Sequence, residues 1–434
     1  MIDPLFTADH KLAPYWLDDA PLAVLPAADL PAETDVAIVG AGYTGLVAAL
    51  TVARAGRGVT VLDAEDAGFG CSTRNGGQCG AGFKTGFDDL AAEYGKPRAV
   101  ALYREALASL DFLTSFVAEE KIDCDYKHCG RFIGAHAPGH YEEMARKFET
   151  NRRELGIECH VVPRSQQRAE IGSDAYFGGG VIPGHTSLHP AKYHRGLLER
   201  VLAGATAVHP HTPVINIERA GAGFTVTTAR GRIKAGAVIV ATNGYTNAVG
   251  SLPDLSRRVI PIGSYMIATE PLAPGLMDRL MPHDRVTSDT RRVVLYYRAS
   301  PDRRRILFGG RVALAETDPA ISGPRLHAIL CEIFPDIARV GISHSWMGFV
   351  AYTFDKMPHL GLRDGLHYAM GYCGSGVAMG SYLGHKIAHK LLGDSAGDSA
   401  FDDAPFRTRP FYYGKPWFLA SAVAWYKFLD RMAR

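Results

Sequence analysis

Residues 35–40 (DVAIVG) form a short apolar, β-branched run closed by glycine, the pattern of a parallel strand buried on both faces. Residues 46–55 are alanine-rich and stop at Gly56, so they predict a helix, and 59–62 predict a second buried strand. Strand, helix and strand together fill about 30 residues, the size of one βαβ unit. Further along, 97–120 place Val100, Tyr103, Leu107, Leu110 and Phe116 on one side of a helix, and 141–155 predict another, heavily charged one. Between 208 and 240 the pattern turns to strands: 224–228 alternate, Gly231 turns the chain, and 237–241 are again a buried strand. Segments 292–297 and 305–309 flank the turn at Ser300, Pro301 and Asp302, which predicts an antiparallel hairpin with Arg303, Arg304 and Arg305 on its solvated edge. Residues 346–361 and 366–371 read as glycine-punctuated strands, 377–392 as a helix, and 417–426 as a docked amphipathic helix.

At 434 residues the chain exceeds one simple core, so two domains are expected. The fold class implied is α/β: a Rossmann-type nucleotide-binding domain interleaved with an α+β substrate domain on an antiparallel sheet. The first is assigned 30–90, 155–248 and 345–400, the second 91–154 and 249–344, and 401–434 form an aromatic tail packed on the body. Hydrophobic residues make up 47% and charged residues 21%, which is ordinary for a globular protein, and a net charge of +2 gives no basic field for nucleic acid. Seven cysteines without a C-x-x-C pair point to reduced thiols in a cytoplasmic protein, with neither a disulfide framework nor a metal site. The first twenty residues lack a signal peptide's basic start and apolar middle, and no segment approaches the ~20 apolar residues that span a bilayer.

The sharpest chemistry lies between the first strand and helix. Gly40, Gly42 and Gly45, with Ala41, Tyr43 and Thr44 between them, fit G-x-G-x-x-G. Gly40 permits the tight turn, Gly42 the approach of a pyrophosphate, and Gly45 close helix packing, while the helix start offers amide dipoles to negative charge. Asp63 ends the second strand about 20 residues after Gly42, where a carboxylate binds ribose hydroxyls and disfavours a 2′-phosphate. Two further clusters narrow the choice between dinucleotides. The loop 68–78 offers Ser72, Thr73, Arg74, Asn75, Gly76, Gly77 and Gln78 to phosphates and a ring edge. Gly374, Ser375, Gly376 and Val377 open a later helix and could bond the carbonyl end of an isoalloxazine. Gly178, Gly179 and Gly180 lack the flanking strand and helix of a second dinucleotide fingerprint.

With these motifs the sequence resembles the D-amino-acid-oxidase-like superfamily of FAD oxidoreductases, most of all its gamma-glutamylputrescine oxidase group. The likeness runs through GYTGL at Gly42, the RNGGQ ending at Gln78, DCDY at Asp123, FGGR at Phe308, W-x-G at Trp346, MPHLG at Met357 and GYCGSGV at Gly371. The resemblance implies non-covalent FAD facing a pocket under the antiparallel sheet. It implies oxidation of a C–N bond by hydride transfer to the flavin, giving an imine that hydrolyses, with oxygen or another electron acceptor closing the cycle. It places Asp63 and Ala64 at the nucleotide, Val214 in backbone contact with FAD, and Gly348 where sarcosine oxidases attach flavin through cysteine. Cys71 and Cys373 are read as buried thiols.

Departures from those relatives shape the expected substrate. Their carboxylate-binding arginine and lysine fall on Gln78 and Ala378, which removes the anion clamp and favours an amine over a simple amino acid. Their oxygen-activating lysine falls on Leu307. Tyr296, Arg311, Gln78, Trp346 and Tyr265 are the candidate substrate residues: tyrosine to orient an amine, Arg311 to bind an anionic tail, aromatics as walls for a cation. His185, His189 and His359 receive no role as a base. The alternative is an amino-acid oxidase or dehydrogenase of glycine or pipecolate type, with Arg311 or Lys84 binding carboxylate, or a non-catalytic flavin-binding accessory protein.

Overall fold

The computed structural model describes residues 4–204 and 206–433. Glu33–Val39 and Val59–Leu62 pair in parallel, with Val36 opposite Val59 and Val39 opposite Leu62, and Gly231–Val240 lies parallel on the other side of Glu33–Val39. Ala207–His209 extends this sheet beyond Val59–Leu62, and an antiparallel meander with Val214–Ala220 and Gly223–Thr228 extends it at the other edge. The Tyr43–Arg54 helix covers one face together with Gly376–Leu392, and the two pack so closely that a Cβ at Gly384 would meet Thr44 O at 2.4 Å.

A second, nine-stranded sheet is built around Ile260–Thr269, which lies antiparallel to both Ile306–Gly310 and Ile342–Tyr352. One face of this sheet carries Tyr265, Tyr297, Phe308 and Ile267, and packs with Leu326 and Leu330 of the Pro319–Ile333 helix into a buried core. The opposite face carries Met266, Leu307 and Trp346 and packs with Trp16. The mixed α/β architecture expected from the sequence is therefore present as two sheets of different character.

Several boundaries differ from the sequence reading, each for a local reason. The stretch 346–361 is a strand only to Tyr352, because Thr353 Oγ1 donates to Asp355 Oδ1 at 2.8 Å and Lys356 takes a positive φ, turning the chain before His359–Arg363. The hairpin strand is Tyr296–Ala299 rather than 292–297, since Arg292 and Val293 spend their amides on the Asp430 carboxylate at 2.9 and 3.2 Å. His160–Val162 and Gly179–Ile182, read with the nucleotide-binding part, hydrogen-bond into the nine-stranded sheet. The 97–120, 141–155, 377–392 and 417–426 helices appear as Lys96–Glu119, Pro138–Leu155, Gly376–Leu392 and Leu419–Met432. Among the described residues no helix is long and apolar enough to cross a membrane.

Candidate active site

The first strand ends in a turn that only bare backbone can occupy. Gly40 adopts φ +107°, and a Cβ on Gly45 would come within 1.8 Å of Gly40 O, so the helix start is pressed onto the strand end. Gly42 is the extended N-cap of the Tyr43–Arg54 helix, whose Thr44 Oγ1 lies 2.7 Å from Tyr372 Oη. Asp63 accepts the Ala41 N–H on Oδ2 at 2.7 Å and the Glu65 N–H on Oδ1 at 3.1 Å. Burial raises its pKa, against the pull of those amides. Two bonds leave a carboxylate with free lone pairs. Ala64 follows directly, and the Thr212 N–H donates to Asp63 O at 2.7 Å, so the chain passes beside the acid on its way to Val214.

The loop 68–78 is held rigid by its own side chains. Ser72 Oγ accepts the Tyr43 N–H at 3.1 Å, and Thr73 Oγ1 donates to Gly68 O at 2.8 Å. Asn75 donates to Cys71 O and Ser72 O at 3.0 and 3.1 Å and accepts the Gly77 N–H at 2.8 Å. Two buried indoles clamp the loop from outside: Trp346 Nε1 donates to Arg74 O at 2.9 Å and Trp16 Nε1 to Asn75 O at 2.8 Å. Arg74 returns the contact by donating to Met347 O at 3.2 Å. Gly348 also faces this loop, and a Cβ there would sit 3.1 Å from Arg74 Cβ and 3.4 Å from Cys71 Sγ.

The later glycine cluster forms the opposite wall. Gly374 takes φ +100°, Ser375 Oγ donates to Gly82 O at 3.2 Å, and Gly376 and Val377 open a long helix whose first amides carry no side-chain cap. A bare turn at one helix start, a carboxylate at the next strand end and a second uncapped helix start fit the phosphates, ribose and ring of FAD.

Substrate candidates divide between the two faces of the nine-stranded sheet. Tyr296 lies against Gly76 of the loop and its hydroxyl is 2.9 Å from Ser264 Oγ; burial pushes its pKa up to about 12. Tyr296, Tyr352 and Arg131 are half-buried and Lys84 is exposed, so accessible space lies beside all four. A Cβ on Gly374 would be 3.7 Å from Lys84 Cε and 3.9 Å from Tyr352 Oη, which puts the glycine cluster at the edge of that space. Lys84 lines a small cleft with Phe83, Lys356, Tyr372, Cys373, Ser375 and Met379 and, among the described residues, makes neither a hydrogen bond nor an ion pair. Desolvation, then the Arg131 charge, lowers its pKa.

Gln78 is fully engaged: its oxygen accepts from Arg131 at 3.0 Å and its amide donates to Tyr297 O and Thr287 O at 3.1 and 3.3 Å. Ala378 is a core residue. Two candidates are displaced. Tyr265 neighbours Ser264 on the same strand and so points to the other face, where its hydroxyl donates to Glu316 at 2.7 Å. Arg311, itself buried, donates to the exposed Glu316 at 3.0 Å and to Gly263 O at 2.7 Å, which holds it away from the loop side as an anion clamp. Trp346 stays on the loop face, but its indole N–H is committed to Arg74 O.

The three histidines have structural partners. His185 accepts from Arg131 Nε at 2.9 Å, with burial and then the Arg131 charge lowering its pKa to about 3. His189 caps a helix through the Lys192 N–H at 3.2 Å, and His359 pairs with Asp355 at 2.9 Å. Arg131, Tyr352 and Trp16 were missed by the sequence reading. Arg131 reaches the site because Arg131–Gly134 pairs in parallel with Val286–Asp289, a contact without a local sequence signal. For Trp16 the signal was a tryptophan in the short apolar run Tyr15, Trp16 and Leu17 of the leading segment.

Comparison with known proteins agrees with this geometry. Residues 35–390 match the DAO family, described as FAD dependent oxidoreductase. The "Probable oxidoreductase OrdL" of Rhizobium meliloti (strain 1021) is 32% identical over 357 residues, 81% of each chain. The gamma-glutamylputrescine oxidoreductase of Escherichia coli (strain K12) is 31% identical over 346 residues, covering 79% of this chain and 80% of the relative. The crystal structure of glycine oxidase from Geobacillus kaustophilus superposes with a TM-score of 0.72 at 21% identity, covering 88% of this chain and 99% of that one. The family match over residues 35–390 and the relatives above 30% identity show that the chain belongs to the DAO family of FAD-dependent oxidoreductases.

Proposed function

We propose that this enzyme oxidises a C–N bond of a small amine whose far end carries a negative charge, a gamma-glutamylputrescine-like substrate. The observation that carries the proposal is the pairing of a lost clamp with an idle cation. Gln78 is saturated with hydrogen bonds and Ala378 is apolar, so an amino acid's own carboxylate finds no cation at either position. Among the described residues Lys84 stands unpaired in its cleft beside Gly374, suited to an anion set away from the reacting amine. A gamma-glutamyl amine has that form: its free carboxylate lies at the end opposite the oxidised carbon. When bound, FAD supplies the acceptor for a hydride, which carries both electrons of the oxidation.

The chain's own residues then bind and orient. Tyr296 Oη, fixed by Ser264, offers a hydrogen bond to the substrate nitrogen, and Gln78, fixed by Arg131, closes one side of the space. The imine product leaves to be hydrolysed. Leu307 sits fully buried in an apolar cluster, so that position presents no amine to oxygen, which favours an acceptor other than oxygen. Seven unpaired thiols support a reducing, cytoplasmic setting.

The test is Lys84→Met assayed on two amines. KM for gamma-glutamylputrescine should rise about ten- to a hundredfold, equivalent to about 1.4–2.7 kcal/mol, while KM for an amine with an uncharged tail stays within about twofold. Equal effects on both substrates would remove Lys84 from recognition and overturn the anionic-tail reading.

A further inference from the structure

The Leu419–Met432 helix is mounted with its apolar residues pointing outwards. Leu419, Val423 and the Asp430 carboxylate face the body, Asp430 accepting the Arg292 and Val293 amides, and Lys427 Nζ donates to Val312 O at 2.8 Å. Trp425, Phe428 and Met432 follow at helical spacing on the other side, Trp425 stacked on Phe428 with ring centroids 5.6 Å apart. Just before the helix, Trp417 Nε1 donates to Phe411 O at 3.2 Å. Phe411, Tyr413, Trp417, Trp425, Phe428 and Met432 are between 51% and 78% exposed, whereas Trp16 and Trp346 are at 0% and 1%. All of this chain's exposed tryptophan therefore sits in one short segment.

Charge decides what covers it. From Phe411 to the chain end the sequence holds Lys415, Lys427, Arg431 and Arg434 against the single acid Asp430, which is buried and engaged. Exposed Arg325 adds to this side, and the charges of Arg311, Arg325 and Arg431 all bear on Lys427 and, after burial, lower its pKa. Aromatic residues beside basic ones on an outward helix face are the composition of an interfacial helix, which seats Trp and Phe at the headgroup boundary and Lys and Arg against anionic lipid. A second copy of the chain is the poorer occupant, because a twofold contact would set this basic face against itself.

We propose that this face of the Leu419–Met432 helix rests on an anionic lipid surface and makes the enzyme a peripheral membrane protein. Trp425, Phe428 and Trp417 insert between headgroups, and Lys415 and Arg431 hold the lipid charge. The helix lies flat, so the nucleotide-binding core stays in water.

The experiment is co-sedimentation of the FAD-loaded, full-length protein with vesicles of phosphatidylglycerol and phosphatidylcholine, against vesicles of phosphatidylcholine alone. Binding should be at least about tenfold tighter to the anionic vesicles, weaken with salt, and be lost in a W417S/W425S/F428S variant that keeps its flavin absorbance. Brominated lipid should quench wild-type tryptophan fluorescence, since the other two indoles are buried. A K415E/R431E variant, which leaves the aromatics in place, should lose the preference for anionic vesicles. Failure to bind anionic vesicles overturns the proposal. So does a concentration-dependent dimer in lipid-free solution that the serine variant abolishes, since a second copy would then be the occupant.

Discussion

On the proposed function, Lys84 carries specificity by having no hydrogen-bond or ion-pair partner among the described residues. The arginines of the interior are spent: Arg131 on Gln78 and His185, Arg298 on Gly77 O and Leu188 O, Arg311 on Glu316. Desolvation and the neighbouring Arg131 lower the Lys84 pKa, so its charge is present at low pH and is lost below the ordinary lysine range as pH rises. KM for a substrate with an anionic tail should therefore climb on the alkaline side, separately from the rise in rate as the substrate amine deprotonates. Lys84→Met should lack that climb; a pH profile of KM with the same alkaline limb in both proteins would contradict the assignment. At this scale the sequence was legible wherever chemistry is local. Gly40, Gly45 and Asp63 could be placed because turn, helix start and strand end are neighbours along the chain. Tyr265 and Arg311 were misplaced because alternation along a strand gives two faces without saying which one meets the flavin.

Elements position the site through a few close approaches. The Gly45 backbone against Gly40 O sets the angle between the first strand and its helix, and the loop 68–78 is fixed to the nine-stranded sheet by Trp346 and Trp16. Gly45→Ala should force the helix start off the strand, an overpacking cost of about 1–3 kcal/mol, and weaken FAD about ten- to a hundredfold. Titration of the apoprotein with FAD, followed by flavin fluorescence, measures this; unchanged affinity would mean that the close approach does not shape the nucleotide site. Long periodic helices were readable from pattern alone. The strand Phe6–Lys11 was not, because it pairs with Ile342–Tyr352 more than 300 residues away and its own six residues show no buried alternation. The helix Pro190–Ala203 was passed over as well, although His189 and Pro190 mark its start.

Across the whole molecule, the loop 68–78 is one of the places where the nucleotide sheet and the nine-stranded sheet meet, and the proposed function sets the cofactor's reactive end and the substrate beside it. Gly348 offers no side chain there, and burial pushes the Cys71 and Cys373 thiols up to about 11, leaving neither as a thiolate at neutral pH. Acid precipitation should therefore release all the yellow colour into the supernatant; flavin retained in the pellet would show a covalent link. The cofactor was legible from motifs spread over the chain, while the substrate was not, because the pocket proposed for it draws on the 80s loop, Arg131 and Tyr352, which are distant in sequence. The central claim is amine oxidation, and anaerobic mixing of the purified holoenzyme with a substrate panel tests it most directly. Gamma-glutamylputrescine and related amines should bleach the flavin within the turnover time, and glycine, proline and pipecolate should not. Bleaching by the amino acids and by no amine would contradict the account.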